Sequence, residues 1–376
     1  MLIIDGDYPM SYSAIDLNRN LTRKLAEVRA AEPDRFAVPS NRDSETLATL
    51  PEMRLGGVAV ALVKVTARIY REENSLWGYR SPEVAYAIAQ GHLNYYRILE
   101  GRGEARILGT RGSLSDHLNR WLEADDREHL PVGFILGMEG ADPILWPEQL
   151  DDWWKSGIRV ISLSHYGVST YCHGTGTGTT GGLLPPARRL LRKMEQLGVV
   201  LDVTHAADES VRQALELYSG PVLASHQNCR ALAPGERQFP DELLQKVIER
   251  DGVIGVCMDS RMLYRQGLDW SAKVFPPCRE LFPREAVTLE DLVNHIDHIC
   301  QLAGNASHAG IGGDTDGQGG REAAPLEIDS VADYVKLADT LERRGYTRED
   351  IEKVMYRNWR DFFEKFLPVS DGSSVA

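Results

Sequence analysis

The sequence predicts a (β/α)₈ barrel, and three observations support this fold class. Eight short runs rich in β-branched residues recur along the chain. Each run is followed by a charged stretch with the period of an amphipathic helix. Six of the runs end at a polar residue of a metal-binding type. Strands that alternate with helices are typical of a parallel sheet, so we expect residues 1–376 to form one barrel domain with extra helices.

The strands are predicted from apolar runs bounded by glycine, proline or polar residues. Because both faces of a barrel strand are covered, such strands are nearly continuous in their hydrophobicity. The eight predicted strands cover residues 2–5, 56–63, 132–138, 158–163, 199–204, 221–225, 253–257 and 309–313.

The helices are predicted from apolar residues that recur on one stripe. Residues 288–303 form such a pattern, with Thr288 as the predicted N-terminal cap and Gly304 as the stop. The stretch 64–130 is longer than one crossover helix needs. It predicts two or three helices, one of them aromatic and centred on residues 86–99.

Composition and charge narrow the function classes. With 43% hydrophobic and 26% charged residues, the chain has an ordinary globular composition. Its 42 basic and 55 acidic residues give a formal net charge of -13. A non-specific nucleic-acid binder needs a basic surface to meet phosphates. We therefore expect a small-molecule substrate and no nucleic-acid partner.

The sequence also favours a cytoplasmic protein without a membrane partner. Its first seven residues lack the basic and apolar regions of a signal peptide. Apolar runs such as residues 56–63 are too short to span a bilayer. The five cysteines are scattered and include no C-x-x-C pair, so neither a disulfide framework nor a thiolate zinc site is indicated.

Carboxylate and imidazole side chains stand where the predicted strands end. In a barrel, the carboxyl ends of the strands form the mouth that holds the active site. A single histidine after an apolar run is usually a hydrogen-bonded core residue, but three of the ten histidines share this placement. We therefore predict a metal site at the mouth. The residues at the strand ends are Asp7, Glu139, His165, His205, His226 and Asp314.

The ligand types favour zinc. Two neutral imidazoles and one carboxylate, from His205, His226 and Glu139, suit zinc and leave an open position for water. Zinc-bound water ionises near neutral pH, which makes it a nucleophile. Asp7 is a further candidate ligand because it follows the first strand.

Two other residues have predicted catalytic roles. Asp314 is placed to accept a proton from the attacking water and to pass it to the leaving amine. His165, if it is not a ligand, can donate a hydrogen bond to the oxygen that becomes negative in the tetrahedral intermediate. The alternative for Asp314 is that the glycine-rich segment 312–317 is only a turn.

The motifs in combination resemble those of the membrane (renal) dipeptidase family, metallopeptidase family M19 of the amidohydrolase-like superfamily. The resemblance covers nearly the whole chain. Its segments are Gly-Met-Glu139-Gly, Ser-Leu-Ser-His165, Leu-Asp-Val-Thr-His205, Ala-Ser-His226-Gln-Asn-Cys-Arg-Ala-Leu and Gly-Ile-Gly-Gly-Asp314-Thr-Asp-Gly.

The resemblance implies a two-zinc site bridged by Glu139, with His205 and His226 as the ligands of the second zinc. It further implies that His165 contacts the substrate near the scissile carbonyl and that Asp314 lies beside the attacking water. A homodimer is the implied oligomeric state.

Arg237, in the segment Pro-Gly-Glu-Arg-Gln, is similar to the arginine that holds the terminal carboxylate of the dipeptide in this family. An arginine fork suits a carboxylate in two-point contact. Considered without the resemblance, Arg237 is a solvated loop residue.

The chain departs from the family pattern at its first strand. The family has Asp-Gly-His-x-Asp there, whereas this chain has Asp5-Gly-Asp7-Tyr8-Pro9. Proline cannot bind a metal, so the first zinc loses at least one ligand. Three outcomes are open: a single zinc, a weakened pair in which Asp7 substitutes, or a chain that has lost hydrolysis.

The leading hypothesis is a zinc-dependent hydrolase that cleaves the amide bond of a dipeptide or a small N-acyl amino acid. We expect one zinc ion, because the usual His-x-Asp segment that binds the other is replaced by Asp7, Tyr8 and Pro9. One alternative is an amidohydrolase that acts on a lactone or a cyclic amide with the same metal. Another is a degenerate homologue that binds a ligand without catalysis.

Overall fold

A computed structural model describes residues 1–32, 45–72, 77–176, 178, 180–270, 277–317 and 319–370. Within these ranges the sheet consists of nine strands whose pairs are all parallel. They are β1 (Ile3–Tyr8), β2 (Val58–Thr66), β3 (Ala105–Ile107), β4 (Val132–Glu139), β5 (Ile158–Ser162), β6 (Val200–Asp202), β7 (Val222–Leu223), β8 (Ile254–Cys257) and β9 (Ala309–Gly312).

The strand order confirms the predicted barrel. Neighbouring strands follow the order β7-β6-β5-β4-β2-β1-β9-β8. A parallel bridge between Ala224 and Ile254 joins the two ends of this series and closes the ring. The short strand β3 was not predicted; it pairs with β4 outside the eight-stranded path.

Helices follow the strands and cover the outside of the barrel. The α-helices of the described residues are α1 (Leu25–Ala31), α2 (Leu50–Gly56), α3 (Pro82–Gly101), α4 (Arg111–Glu123), α5 (Leu150–Lys155), α6 (Ala187–Leu197), α7 (Asp208–Leu217), α8 (Asp241–Ile248), α9 (Ser260–Leu263), α10 (Cys278–Leu281), α11 (Leu289–Ala303), α12 (Lys336–Arg343), α13 (Arg348–Glu352) and α14 (Asn358–Phe366).

The long helix α11 begins and ends where the sequence predicts. Thr288 and Asp291 form a capping box that satisfies free N–H groups of the first turn. Gly304 ends the helix with a φ of 71°, a left-handed conformation that glycine adopts without a Cβ clash. The region from 64 to 130 contains two helices, α3 and α4, within the predicted number.

The first two predicted strands end three residues before the observed ones. The first was predicted to end at residue 5 and the second at residue 63, but β1 continues through Asp7 to Tyr8 and β2 continues through Lys64 to Thr66. Charged residues usually mark the end of a buried strand. Here both charged side chains are fully buried inside the barrel and lie next to each other.

One cluster of buried apolar side chains runs from Leu2 to Leu367 and joins the barrel interior to the surrounding helices. None of the helices in the described part of the chain is both long and apolar enough to cross a membrane.

Candidate metal centre and active site

The polar residues at the strand ends converge at the mouth of the barrel, as predicted. Glu139 is the last residue of β4, and Asp7 precedes the last residue of β1. His205 and His226 lie three residues beyond β6 and β7, and Asp314 lies two residues beyond β9. This arrangement joins residues that are far apart in sequence because parallel barrel strands all point the same way.

Three of these side chains meet at a single point. The Nε2 atom of His205 lies 3.1 Å from Oε1 of Glu139 and 2.8 Å from Nε2 of His226. The Nε2 atom of His226 lies 3.5 Å from the same Glu139 oxygen. Ligands about 2.0–2.2 Å from a tetrahedral zinc ion are about 3.3–3.6 Å from one another. The three atoms therefore fit around one ion of this size.

His226 is held with its Nε2 lone pair directed at that point. Its Nδ1 atom lies 2.9 Å from Oγ of Ser225 and 3.2 Å from Oδ1 of Asp7. The Ser225 hydroxyl donates its proton to Asp202, at 2.6 Å, so its oxygen accepts from the imidazole. Nδ1 therefore carries a proton. A histidine ligand whose other nitrogen donates to an oxygen is the usual arrangement in metal sites.

His205 has an unusual backbone conformation. Its φ is 69°, in the left-handed region that residues with a Cβ rarely adopt. Its Nδ1 atom is buried without a hydrogen-bond partner. Such strained and unsatisfied groups cluster at functional sites because the surrounding structure holds them in place.

His165 lies beside the three ligand atoms but is held differently. Its Nδ1 atom contacts Nη1 of Arg68, which can only donate, so Nδ1 accepts the hydrogen bond. Nε2 then carries the proton and lies 3.8 Å from Oε1 of Glu139. Burial and the nearby positive charge of Arg68 hold the pKa of His165 well below its usual value. The neutral ring is therefore a hydrogen-bond donor toward the site.

Two acids at the mouth have raised pKa values. Burial and the neighbouring charge of Asp7 raise the pKa of Glu139 above its usual range. Burial, together with the charges of Asp7 and Asp259, raises the pKa of Asp314 to about 6. Asp314 is also held in a left-handed conformation, with a φ of 50°. A carboxylate with a pKa near neutral is suited to take up and return a proton.

A buried lysine stands at the base of the site, and the sequence analysis missed it. The ammonium of Lys64 lies 2.8 Å from Oδ2 of Asp202, 2.9 Å from Oδ1 of Asp7 and 3.2 Å from Oγ of Ser225. Burial disfavours its charge, but the carboxylates of Asp202 and Asp7 outweigh this effect and raise the pKa of Lys64.

Asp7, a candidate ligand from the sequence, is thus in contact with an ammonium group. Burial alone would raise its pKa, but His226 and Lys64 outweigh burial and lower it. Neither of its oxygens accepts a well-aligned hydrogen bond, so the contact with Lys64 is mainly ionic. Two groups of side chains lie close enough together to hold a metal ion: Glu139, His165 and His205, and Asp7, His226 and Asp314.

A small cavity opens beside Glu139 and His205. Its volume is about 50 Å³, which is room for a few water molecules. The lining includes the two predicted catalytic residues, His165 and Asp314, and other residues that the sequence analysis did not identify. The lining residues are Pro9, Tyr12, Thr66, Arg68, Glu139, His165, Tyr166, His205, Asp259, Asp314 and Gly317.

Arg237 is buried behind this cavity rather than in its lining. Its guanidinium donates to Oε1 of Gln227 at 3.0 Å and to the carbonyl of His226 at 3.1 Å. It lies 5.9 Å from the ring centre of Tyr166, which does line the cavity. Its Nη2 atom also lies 3.4 Å from Nε2 of His205, and its Nε atom is buried without a hydrogen-bond partner.

One of the missed residues has a signal in the sequence. Lys64 lies within β2, where a run of buried apolar residues should contain no charge. A charged residue in such a run needs a buried partner. That rule identifies Lys64 as a functional candidate but does not name Asp202 or Asp7 as its partners.

A family model for membrane dipeptidases, peptidase family M19, matches residues 112–366. An uncharacterised dipeptidase of Schizosaccharomyces pombe is 28% identical over 249 residues, 65% of this chain and 56% of that protein. The matched part spans about half the length of the curated relatives.

Two crystal structures show the same fold. One is a dipeptidase designated AC, a metallopeptidase of family M19, with a TM-score of 0.74 at 20% identity; the match covers 98% of this chain and 99% of that one. The other is a metallopeptidase from Rhodobacter sphaeroides with a bound phosphinate mimic of the dipeptide L-Ala-D-Ala. Its TM-score is 0.73 at 19% identity, over 97% of this chain and 99% of that one.

Proposed function

The chain belongs to the membrane dipeptidase family, peptidase family M19, and from this premise we propose that it is a zinc-dependent hydrolase that cleaves the amide bond of a dipeptide or a small N-acyl amino acid. The observation that carries the proposal is the meeting of Glu139, His205 and His226, whose ligand atoms lie within 3.5 Å of one another.

These three residues are the proposed zinc ligands. Two imidazole nitrogens and one carboxylate oxygen suit zinc, and three protein ligands leave a position for water. A bound divalent ion supplies one chemical effect, which is to acidify water so that it attacks near neutral pH. His165 is not included because Arg68 holds the proton on its Nε2 atom.

Asp314 is the proposed general base and acid. It accepts a proton as water adds to the scissile carbonyl carbon, which becomes tetrahedral with a negative oxygen. When the C–N bond breaks, the same proton goes to the departing amine, so the products are an acid and an amine. The raised pKa of Asp314 supports this exchange because the protonated and ionised forms are then both accessible near neutral pH.

His165 is the proposed donor to the negative oxygen. Its Nε2 atom lies 3.8 Å from Oε1 of Glu139, and both residues line the cavity. The ring stays neutral because the pKa of His165 is low. A donor fixed in advance stabilises the charge that develops in the transition state at no further cost in reorganisation.

Two arginines are candidates for binding the substrate's free carboxylate. Arg237 is favoured by the family resemblance and by its unpartnered Nε atom. Arg68 is favoured by its place in the lining of the cavity. We assign the binding of the substrate's carboxylate to Arg237. Arg68 positions the His165 ring through its contact with Nδ1.

The test is an assay of purified, zinc-loaded protein against a panel of dipeptides that includes D-residues. We expect hydrolysis of at least one dipeptide and loss of both zinc and activity in His205→Ala. The exposed histidine variant His129→Ala serves as the matched control and should retain both. Turnover of lactones or cyclic amides alone would favour the first alternative, and zinc binding without any cleavage would favour a degenerate homologue.

A further inference from the structure

The barrel interior is built to accommodate the side chain of Lys64. Lys64 lies in β2 opposite Gly137 of β4, and its side chain is 0% exposed. A Cβ atom at Gly137 would lie 3.0 Å from Cδ and 3.4 Å from Cε of Lys64. The glycine therefore leaves the space through which the lysine stem passes. Its presence indicates that the lysine is an integral part of the site.

The ammonium at the end of this stem is surrounded by oxygen atoms. Its neighbours are Oδ2 of Asp202 at 2.8 Å, Oδ1 of Asp7 at 2.9 Å and Oγ of Ser225 at 3.2 Å. A buried ammonium is stable only when it is paired in this way. Three oxygens, two of them charged, are also the surroundings that a metal cation would take.

The same oxygens connect the ammonium to the proposed zinc ligand His226. Asp7 and Ser225 each contact both Lys64 and the Nδ1 side of His226. The lysine thus contacts both oxygens beside Nδ1 of His226, and of these the Ser225 hydroxyl accepts the Nδ1 proton. Nε2 of His226 is consequently presented to Glu139 and His205 as a lone pair.

Charge and distance disfavour a second ion at Asp7. The Lys64 ammonium already neutralises part of the negative charge of Asp7 and Asp202, the two carboxylates that it contacts. An ion bound to Oδ1 of Asp7 at about 2.1 Å would lie within about 5 Å of the ammonium, because that oxygen is 2.9 Å from Nζ. The two cations would then repel each other at short range inside the barrel.

We infer that the ammonium of Lys64 occupies the place of a second metal ion, so that the site binds one divalent ion through Glu139, His205 and His226 while Asp7 is a counter-ion and not a ligand. This inference rests on the proposed metal-dependent function. Lys64 is a positioning residue because it acts through Asp7 and Ser225 on the orientation of His226.

The experiment counts metal ions and does not require activity. The full-length protein is stripped with a chelator, dialysed to equilibrium against buffered free zinc and analysed by inductively coupled plasma mass spectrometry together with its protein concentration. We expect one tightly bound zinc per chain in the wild type. In Lys64→Met, which keeps the length of the side chain without its charge, we expect a second zinc to bind next to Asp7 and Asp202.

A second variant keeps the test decisive if Lys64→Met does not fold. Asp7→Asn should still bind one zinc, with an affinity lowered about 10- to 100-fold, because Asp7 acts only on the orientation of His226. If Asp7 were a ligand of a second ion, the wild type would bind two and Asp7→Asn one.

The outcomes separate this inference from the proposed function. Two zinc ions in the wild type overturn the inference and leave the function standing. A folded Lys64→Met protein that still binds only one ion also overturns the inference. In that case the ammonium does not occupy a position where a second metal ion would bind. No zinc in the wild type overturns the proposed function itself. One ion in the wild type and two in Lys64→Met support both.

Discussion

The Nδ1 atom of His165 accepts a hydrogen bond from Arg68, a residue 97 positions earlier in the sequence. Because arginine has no acceptor, this contact places the imidazole proton on Nε2, facing Glu139. Two neighbouring histidines therefore have different uses: the Nε2 of His226 offers a lone pair, whereas the Nε2 of His165 offers a proton. Variants of His165 and Arg68 test this difference.

Replacing His165 should slow the reaction without removing the metal. In His165→Ala we expect kcat to fall about 10²- to 10³-fold, as for the loss of one donor to a negative oxygen. Zinc content should remain at the wild-type value in the same preparation. Loss of zinc together with activity would show that His165 is a ligand after all.

Removing the contact between Arg68 and His165 should weaken catalysis through the histidine. Arg68→Met keeps a side chain of similar reach but leaves Nδ1 without its donor. We expect a lower kcat and a rise in the pKa of His165, measured by NMR titration, because the nearby positive charge is lost. An unchanged histidine titration would contradict the assignment of Arg68 as its positioning residue.

The carboxylate-binding arginine can be identified with matched substrates. For Arg237→Met we expect kcat/KM for a dipeptide to fall by about two orders of magnitude, since a buried charged partner is lost. Hydrolysis of the corresponding C-terminal amide should change little because it lacks the carboxylate. Arg68→Met serves as the comparison: if it shows this selectivity and Arg237→Met does not, the two roles are exchanged.

Stability should fall at mildly acidic pH because of His117. Its ring is buried against the carbonyl of Ala59, at 2.9 Å, and burial lowers its pKa from 6.5 to about 4. Between these values the unfolded chain binds a proton that the folded protein does not. The free energy of unfolding therefore decreases as the pH falls from 6.5 to 4, by at most about 1.4 kcal/mol per unit from this residue.

The measurement for His117 is urea unfolding of the zinc-free protein at several pH values. His117→Gln can donate to the same carbonyl but does not titrate, so the pH dependence should become shallower. The exposed residue His129 provides the control, and His129→Gln should keep the wild-type slope. Equal slopes in both variants and the wild type would exclude His117 as the cause.

Much of the fold was predictable because its signals are local. The boundaries of α11 follow from Thr288 and Gly304, whose effects act within one turn of the helix. The meeting of Glu139, His205 and His226, the proposed zinc ligands, was predictable because strand ends in a parallel barrel share one rim. The ends of β1 and β2 were not predicted, because their charged residues have partners that lie far away in sequence.

The site was predictable only in part for a similar reason. Arg237 was expected to face the substrate, and its place behind Tyr166 depends on how the loop after β7 packs. Its role in carboxylate binding stays a prediction. Lys64 was passed over because a lysine at the end of a predicted strand normally points into solvent.

The sequence by itself determined the barrel, the residues at its mouth and the loss of the usual first-strand motif, since periodicity and residue type are properties of the chain alone. Only the tertiary structure decided how the charges pair. Lys64 meets Asp202 across 138 residues, and that contact exists only once the strands have closed into a ring. Pairing of buried charges depends on distances of about 3 Å in space, which no spacing along the sequence encodes.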